Sequence, residues 1–129
     1  MSFEQLLSRF PVLLPGAAIL VLGLVFLLFP PKRINGFYGY RTERSRRDIE
    51  SWNFAQRHSA KAMIWTSLAN MAVCLCGDAI VRSLALPLAR TATCDALIEV
   101  AAIVAQMAIV IASTERTLAK RERAGKADF

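Results

Sequence analysis

Three apolar runs decide most of what this chain can become. Val12 to Phe29, VLLPGAAILVLGLVFLLF, is 18 residues without a charge. Ala62 to Val81, AMIWTSLANMAVCLCGDAIV, is 20 residues with one acid, Asp78; Ala96 to Thr114, ALIEVAAIVAQMAIVIAST, is 19 residues with one acid, Glu99. A helix of about 20 apolar residues crosses the roughly 30 Å hydrocarbon core of a bilayer. Such runs also occur as buried helices of soluble cores, but three of them in 129 residues leave too little polar helix surface to cover them. The expected architecture is an all-α integral membrane protein: a single membrane domain over 1–129 with transmembrane helices at 12–29, 62–81 and 96–114, a loop at 30–61 and a tail at 115–129.

The charge pattern orients that architecture. Hydrophobic residues make up 55% of the chain, yet its net charge is +6, so the two properties must be segregated. Of the 16 Lys and Arg, one precedes the first span (Arg9), eight fall in the 30–61 loop, two lie between the second and third spans, and five are in the tail. Thirteen of the sixteen thus sit on two segments that three crossings place on the same side. Basic loops stay cytoplasmic, which predicts the N-terminus out, the C-terminus in and a basic cytoplasmic loop. Pro30-Pro31-Lys32-Arg33 follows the first apolar run as a stop-transfer flank, so that run is expected to be retained rather than cleaved. The tail is expected to continue the third helix for a turn or two and fray after Gly125, its charges serving only to anchor an anionic leaflet at about 1 kcal/mol each.

Polar residues inside the spans are few and ordered. The second and third spans, joined by about 14 residues around Pro87, should form an antiparallel hairpin. Counting outward from Leu88 brings Asp78 level with Glu99 and Asn70 level with Gln106, a polar seam in which Ser67, Cys74 and Ser113 share the same faces. Asp78 can also pair with Arg82 one turn on. Packing is the plainer reading of such a seam, and a ligand or proton path is the functional one. In the first span Gly16 and Gly23, seven apart, allow close approach of a neighbour, and Pro15 is placed in the first turns. Cys74, Cys76 and Cys94 have no metal-ligand spacing, and the single His58 has no partner series, so no metal or cofactor is expected.

The segment Pro30–Gln56, PPKRINGFYGYRTERSRRDIESWNFAQ, is the least ordinary stretch. Pro30-Pro31 ends the first helix. Asn35-Gly36 and Gly39 permit two tight turns, and Phe37, Tyr38 and Tyr40 suit an interfacial aromatic belt. Ser45 with Asp48 three residues on reads as a helix N-cap. From there Ile49, Trp52, Gln56, Ala60 and Met63 make one stripe, giving an amphipathic helix from 46 to about 60 that lies along the interface or runs directly into the second span. Arg41, held by glycine turns, is suited to a phosphate, a carboxylate or a helix C-terminus, with Glu50 as its expected internal partner and Trp52 flat against either; otherwise the three lock the loop to the interface.

The residues Ile34, Asn35, Tyr38, Gly39, Tyr40, Arg41, Thr42, Ser45, Glu50, Trp52 and Ala55, with Lys61 beyond them, resemble the signature of the SdpI family of small bacterial membrane proteins. The resemblance implies a multi-pass protein of the cytoplasmic (inner) membrane that protects against a secreted, membrane-active peptide toxin, with signalling to a cytoplasmic regulator. Its site residues here would be Asn35, Tyr38, Gly39, Tyr40, Arg41, Thr42, Ser45, Glu50 and Trp52. A small oligomeric transporter or channel protomer, using Asn70, Asp78, Glu99 and Gln106, is the alternative; an accessory subunit of a larger membrane complex is another. No catalytic motif is present, neither G-x-S-x-G nor H-E-x-x-H nor a Walker loop, so an enzyme is not expected. Topology accounts for the basic charge without a nucleic-acid partner. The lipid bilayer is the partner that the composition itself requires.

Overall fold

The computed structural model describes residues 3–85 and 87–127. It consists of three helices, α1 (Phe3–Leu28), α2 (Ile49–Ser83) and α3 (Leu88–Ala127). Each is long and apolar enough to cross a membrane; α2 and α3 each contain an expected span, and α1 contains the first up to Leu28. α2 is central: it packs along both α1 and α3, which barely touch one another. Large apolar side chains, among them Val21, Leu28, Trp65, Val73, Val100 and Val104, stand exposed on the outer surface, where hydrocarbon is their natural solvent.

The helices outrun their spans. At 1.5 Å per residue the 35 residues of α2 extend about 50 Å, well beyond a bilayer core of about 30 Å. One continuous helix therefore serves as both the amphipathic segment and the second span. Its buried face runs without a break from Trp52 through Gln56, Ala60, Met63, Ser67, Asn70 and Cys74 to Asp78 and Val81. Ile49, expected on that stripe, is exposed. The third helix starts at Leu88 rather than Ala96, because residues 89–95 are polar yet helix-compatible, and hydropathy does not register helix beyond the hydrocarbon. Pro87 opens it, its carbonyl accepting from the Arg90 and Thr91 N–H groups at 2.9 and 3.1 Å. For the same reason the tail does not fray after Gly125; the helix runs on to Ala127, and Asp128 and Phe129 lie outside the described residues. α1 likewise begins at Phe3, so Pro15, with Pro11, is interior rather than in the first turns. Each proline removes one helix hydrogen bond, a loss that membrane helices tolerate.

Gly16 and Gly23 share the face of α1 that meets α2. A Cβ at Gly23 would lie 3.1 Å from Met63 Cβ and 3.2 Å from the Ala60 carbonyl oxygen, so the two backbones run nearly in contact there.

The N-cap of α2 is Asp48, not Ser45. Asp48 has extended backbone (φ −149°, ψ 166°), and its carboxylate accepts from the Ser51 N–H at 2.7 Å and the Ser51 hydroxyl at 3.0 Å. Those bonds, the backbone one foremost, hold its pKa below the usual carboxylate range. Lowered affinity for a proton in the folded state means that the cap's contribution is complete above the unfolded pKa of about 3.9 and fades as the pH falls further. Asp48→Ala is expected to cost about 1 kcal/mol at neutral pH, with a smaller effect for Asp48→Asn. The gap between Asp48→Ala and wild type should narrow in unfolding titrations repeated below about pH 4; a gap independent of pH would disprove the carboxylate's role.

Candidate functional site

The motif loop, residues 29–48, is tied to all three helices. Its first turn is built by Asn35, whose side-chain oxygen accepts from the Phe37 and Tyr38 N–H groups at 3.0 and 2.8 Å while its amide donates to the Arg33 carbonyl at 3.0 Å. This is the side-chain-mimicked turn for which Asn is selected. Tyr38 then turns inward. Its ring meets Phe26 of α1 edge-on, centroids 4.9 Å apart, and its hydroxyl donates to the Phe29 carbonyl at 2.9 Å, satisfying one of the groups that the end of α1 leaves open.

Against α2 the loop is held by two fully buried side chains. Trp52 Nε1 donates to the Pro31 carbonyl at 2.9 Å. Gln56 makes two bonds with one residue: its oxygen accepts from the Tyr40 N–H at 2.7 Å, and its amide nitrogen donates to the Tyr40 carbonyl at 2.7 Å. Gln56 thus pairs with the loop backbone as a neighbouring strand would. Gly39 makes this approach possible. It sits at φ 95°, and a Cβ there would lie 2.3 Å from Gln56 Oε1 and 2.8 Å from Pro31 Cγ.

Against α3 the hub is Glu115. Its Oε1 accepts from the Tyr40 hydroxyl at 3.0 Å and the Thr42 hydroxyl at 2.7 Å, and Arg44 approaches Oε2 at 3.4 Å. Burial, reinforced by the Glu115 carboxylate, pushes the Tyr40 phenol above its ordinary pKa, so it remains a hydrogen-bond donor at physiological pH. Ser45 is buried within a turn, receiving the Thr42 N–H at 2.9 Å and donating to the Thr42 carbonyl at 2.9 Å. One to two turns beyond Glu115, Glu122 binds Arg44 and Arg47, and Arg121 binds Glu50 at 2.6 Å.

Several expectations change here. Arg41 does not pair with Glu50; it donates to the Gly36 carbonyl and stays exposed, while Glu50 is taken by Arg121. Trp52 lies against neither, because it is sealed beneath Pro31. Of the three belt aromatics only Phe37 faces outward, at 96% exposure; Tyr38 and Tyr40 are structural. The tail charges have specific partners: Arg121 binds Glu50, and Glu122 binds Arg44 and Arg47. Glu115, Glu122 and Arg121 are marked by no sequence pattern, and Gln56 is marked only as a member of the α2 stripe. Gln56 had a visible signal, since it interrupts an apolar stripe and a buried amide must find partners. The others lie about seventy residues or more from the groups they bind, and nothing local marks them.

What the loop leaves at the surface is a cleft of about 380 Å³ whose lining includes Gly36, Arg41, Arg46 and, from α3, Met107 and Ile111. It combines guanidinium groups with exposed apolar side chains.

The intramembrane seam is brought together in part. Asn70 donates to Gln106 Oε1 at 2.8 Å, Gln106 donates to Ser67 Oγ at 2.8 Å, and Cys74 approaches Asn70 at 3.4 Å, all buried. Asp78 pairs with Arg82 at 2.5 Å. Gly77 faces Ile98, so their chain neighbours Asp78 and Glu99 stand at similar depth; Asp95, one turn before Glu99, also lies within electrostatic reach of Asp78 and Arg82. The connection is residues 84–87 rather than about 14 residues, because both helices run on past their apolar spans; the register counted from Leu88 is kept by the Asn70–Gln106 pair. Replacing Gln106 with Leu strands the Asn70 amide and the Ser67 hydroxyl and is expected to cost about 1–2 kcal/mol. In a double-mutant cycle with Asn70→Leu, measured by detergent denaturation, additive losses would contradict the coupling.

The sequence pattern of the SdpI/YfhL protein family matches residues 32–114, more than half of the chain. A curated relative, the uncharacterized protein YfhL of Bacillus subtilis (strain 168), is 48% identical over 56 residues, which are 43% of this chain and 51% of the relative. The match thus spans about half the length of that relative. No solved structure matches significantly. The matched region holds the motif loop from Lys32 on, Trp52, Gln56 and the Asn70–Gln106 pair, and stops one residue short of the Glu115 hub. With three helices able to span a bilayer and this match across the loop and the hairpin, the chain is a multi-pass membrane protein belonging to the SdpI/YfhL family.

Proposed function

We propose that the protein is a non-enzymatic immunity or sensor protein of the bacterial cytoplasmic membrane. It protects against a membrane-active peptide, with the inserted peptide or a cytoplasmic regulator engaged at the motif loop. The N-terminus lies outside, and the loop and tail lie in the cytoplasm, as the Lys/Arg asymmetry favours. The observation that carries the reading is the division of labour within the motif. Asn35 and Ser45 build the loop's own turns and Tyr38, Gly39, Tyr40, Thr42 and Trp52 hold it against the helices, whereas Arg41, donating to the Gly36 carbonyl, lines a cleft with apolar α3 side chains. A rigid platform presenting the Arg41 and Arg46 guanidinium groups beside an apolar wall suits recognition of a peptide with a carboxylate or carbonyl next to apolar side chains.

The test is survival of a sensitive host carrying wild type or Arg41→Ala, challenged with a panel of secreted membrane-active bacterial peptides. Wild type should protect against at least one of them, and Arg41→Ala, at equal membrane abundance, should weaken protection about ten-fold, the worth of one charge-assisted bond. No gain in survival against any peptide would remove the immunity reading.

The gathering of Asp78, Asp95 and Glu99 at the opposite end of the hairpin favours a second reading, an oligomeric transporter or channel protomer. Unchanged ion flux in vesicles carrying Glu99→Gln would count against it.

A further inference from the structure

Phe54, His58, Lys61 and Trp65 recur at three- and four-residue intervals in α2 and so share a face, a different one from that carrying Trp52 and Gln56. Arg57 stands beside them, one turn before Lys61. Arg121 of α3 reaches over this face. Its guanidinium lies 4.5 Å from the centre of the Phe54 ring, and it donates to Glu50 at 2.6 Å. The His58 ring stacks on the same Phe54, centroids 5.4 Å apart. With Asn53, these groups other than Trp65 line a cleft of about 470 Å³.

The cleft has one acid, Glu50, and Arg121 already engages it. The neighbouring Arg44 and Arg47 are satisfied by Glu115 and Glu122, but Arg57 and Lys61 have no acidic partner among the described residues. The positive-inside rule requires basic charge somewhere on this side of the membrane. It does not require three cations gathered around an aromatic floor in one concavity, with one of them fixed in place by both a carboxylate and a ring. Depth adds a second constraint. Lys61 immediately precedes the apolar run that begins at Ala62, and Trp65, one turn deeper, is 72% exposed. Exposed Trp beside Lys is the arrangement found where hydrocarbon gives way to headgroups.

We infer that this cleft is a binding site for the phosphate of an anionic membrane lipid. Arg57, Lys61 and Arg121 supply the donors, Phe54 and His58 the floor, and Trp65 the contact with the glycerol and upper acyl region. A free phosphate would meet the same cations but has no use for the membrane-facing Trp65. The site stands independently of the proposed immunity function.

The experiment is native mass spectrometry of the full chain in nonionic detergent, titrated with phosphatidylglycerol, phosphatidylcholine or inorganic phosphate. Wild type should retain phosphatidylglycerol, and Arg57→Gln/Lys61→Gln should bind it about twenty-five-fold more weakly, from about a five-fold loss per basic residue. Phosphatidylcholine should bind both proteins alike. Lys32→Gln/Arg33→Gln removes equal charge from the same end but outside the cleft, and should behave as wild type. Equal phosphatidylglycerol binding by the cleft variant, or an equal loss in the control, overturns the site. Displacement of the lipid by inorganic phosphate at comparable concentration assigns the cleft to free phosphate and overturns the lipid reading. Arg57→Gln alone, expected to lose about five-fold, repeats the test should the double variant fail to accumulate.

Discussion

Trp52→Ala is expected to destabilise the protein by about 3–5 kcal/mol, the range for truncating a fully buried aromatic. Trp52 is 0% exposed, lies outside the second apolar run and binds the Pro31 carbonyl, so its loss opens a cavity and orphans a backbone acceptor together. Trp52→Phe separates the two effects: it keeps most of the volume and should cost about 1–3 kcal/mol for the stranded carbonyl. The measurement is denaturant titration in mixed micelles, with proteolysis of the 30–48 segment as a local probe. The loop should become cleavable in Trp52→Ala while the α2–α3 hairpin persists, because the Asn70–Gln106 pair lies roughly 25 Å along the helix from Trp52. An uncleaved loop in Trp52→Ala would show that this indole is not what holds it.

Gln56→Leu is expected to be nearly as damaging, about 2–4 kcal/mol, despite being close in size and more apolar. Leucine leaves both the N–H and the carbonyl of Tyr40 without the partner that now meets each at 2.7 Å, in a place closed to water. An apolar side chain stabilises a buried site only when no polar group is left behind it. Gly39→Ala should produce the same loosening from the other side, since its Cβ would fall 2.3 Å from Gln56 Oε1 at a φ of 95°. The two lesions remove one contact, so Gly39→Ala combined with Gln56→Leu should cost clearly less than their sum in the same titration. Full additivity would mean that the glycine is needed for something other than the approach of Gln56.

Most of the legible features have their cause within a few residues. Asp78 and Arg82 meet because four residues make one helical turn. Asn35 writes its own turn. Asn70 and Gln106 could be matched across a hairpin because their long amides tolerate a register error of a few residues. The same register sets Asp78 and Glu99 at similar depth, and Asp95, one turn before Glu99, is a further α3 acid near Asp78 that the count did not include. Ser45 and Asp48 both suit an N-cap by residue type; Ser45 was drawn into the turn at Thr42, leaving the cap to Asp48.

By itself the sequence determined three crossings, the family and the turn chemistry of the loop. Bilayer thickness sets span length, and backbone groups in hydrocarbon must be satisfied within the helix. The tertiary structure alone decided what the motif is for locally. It assigned Tyr40 and Thr42 to Glu115, Glu50 to Arg121 and Gln56 to the loop backbone, and thereby left Arg41 free of Glu50. Those pairings join segments up to 75 residues apart. A carboxylate's choice among many arginines depends on which helix faces come within about 3 Å of one another, a distance set by packing of α3 on α2.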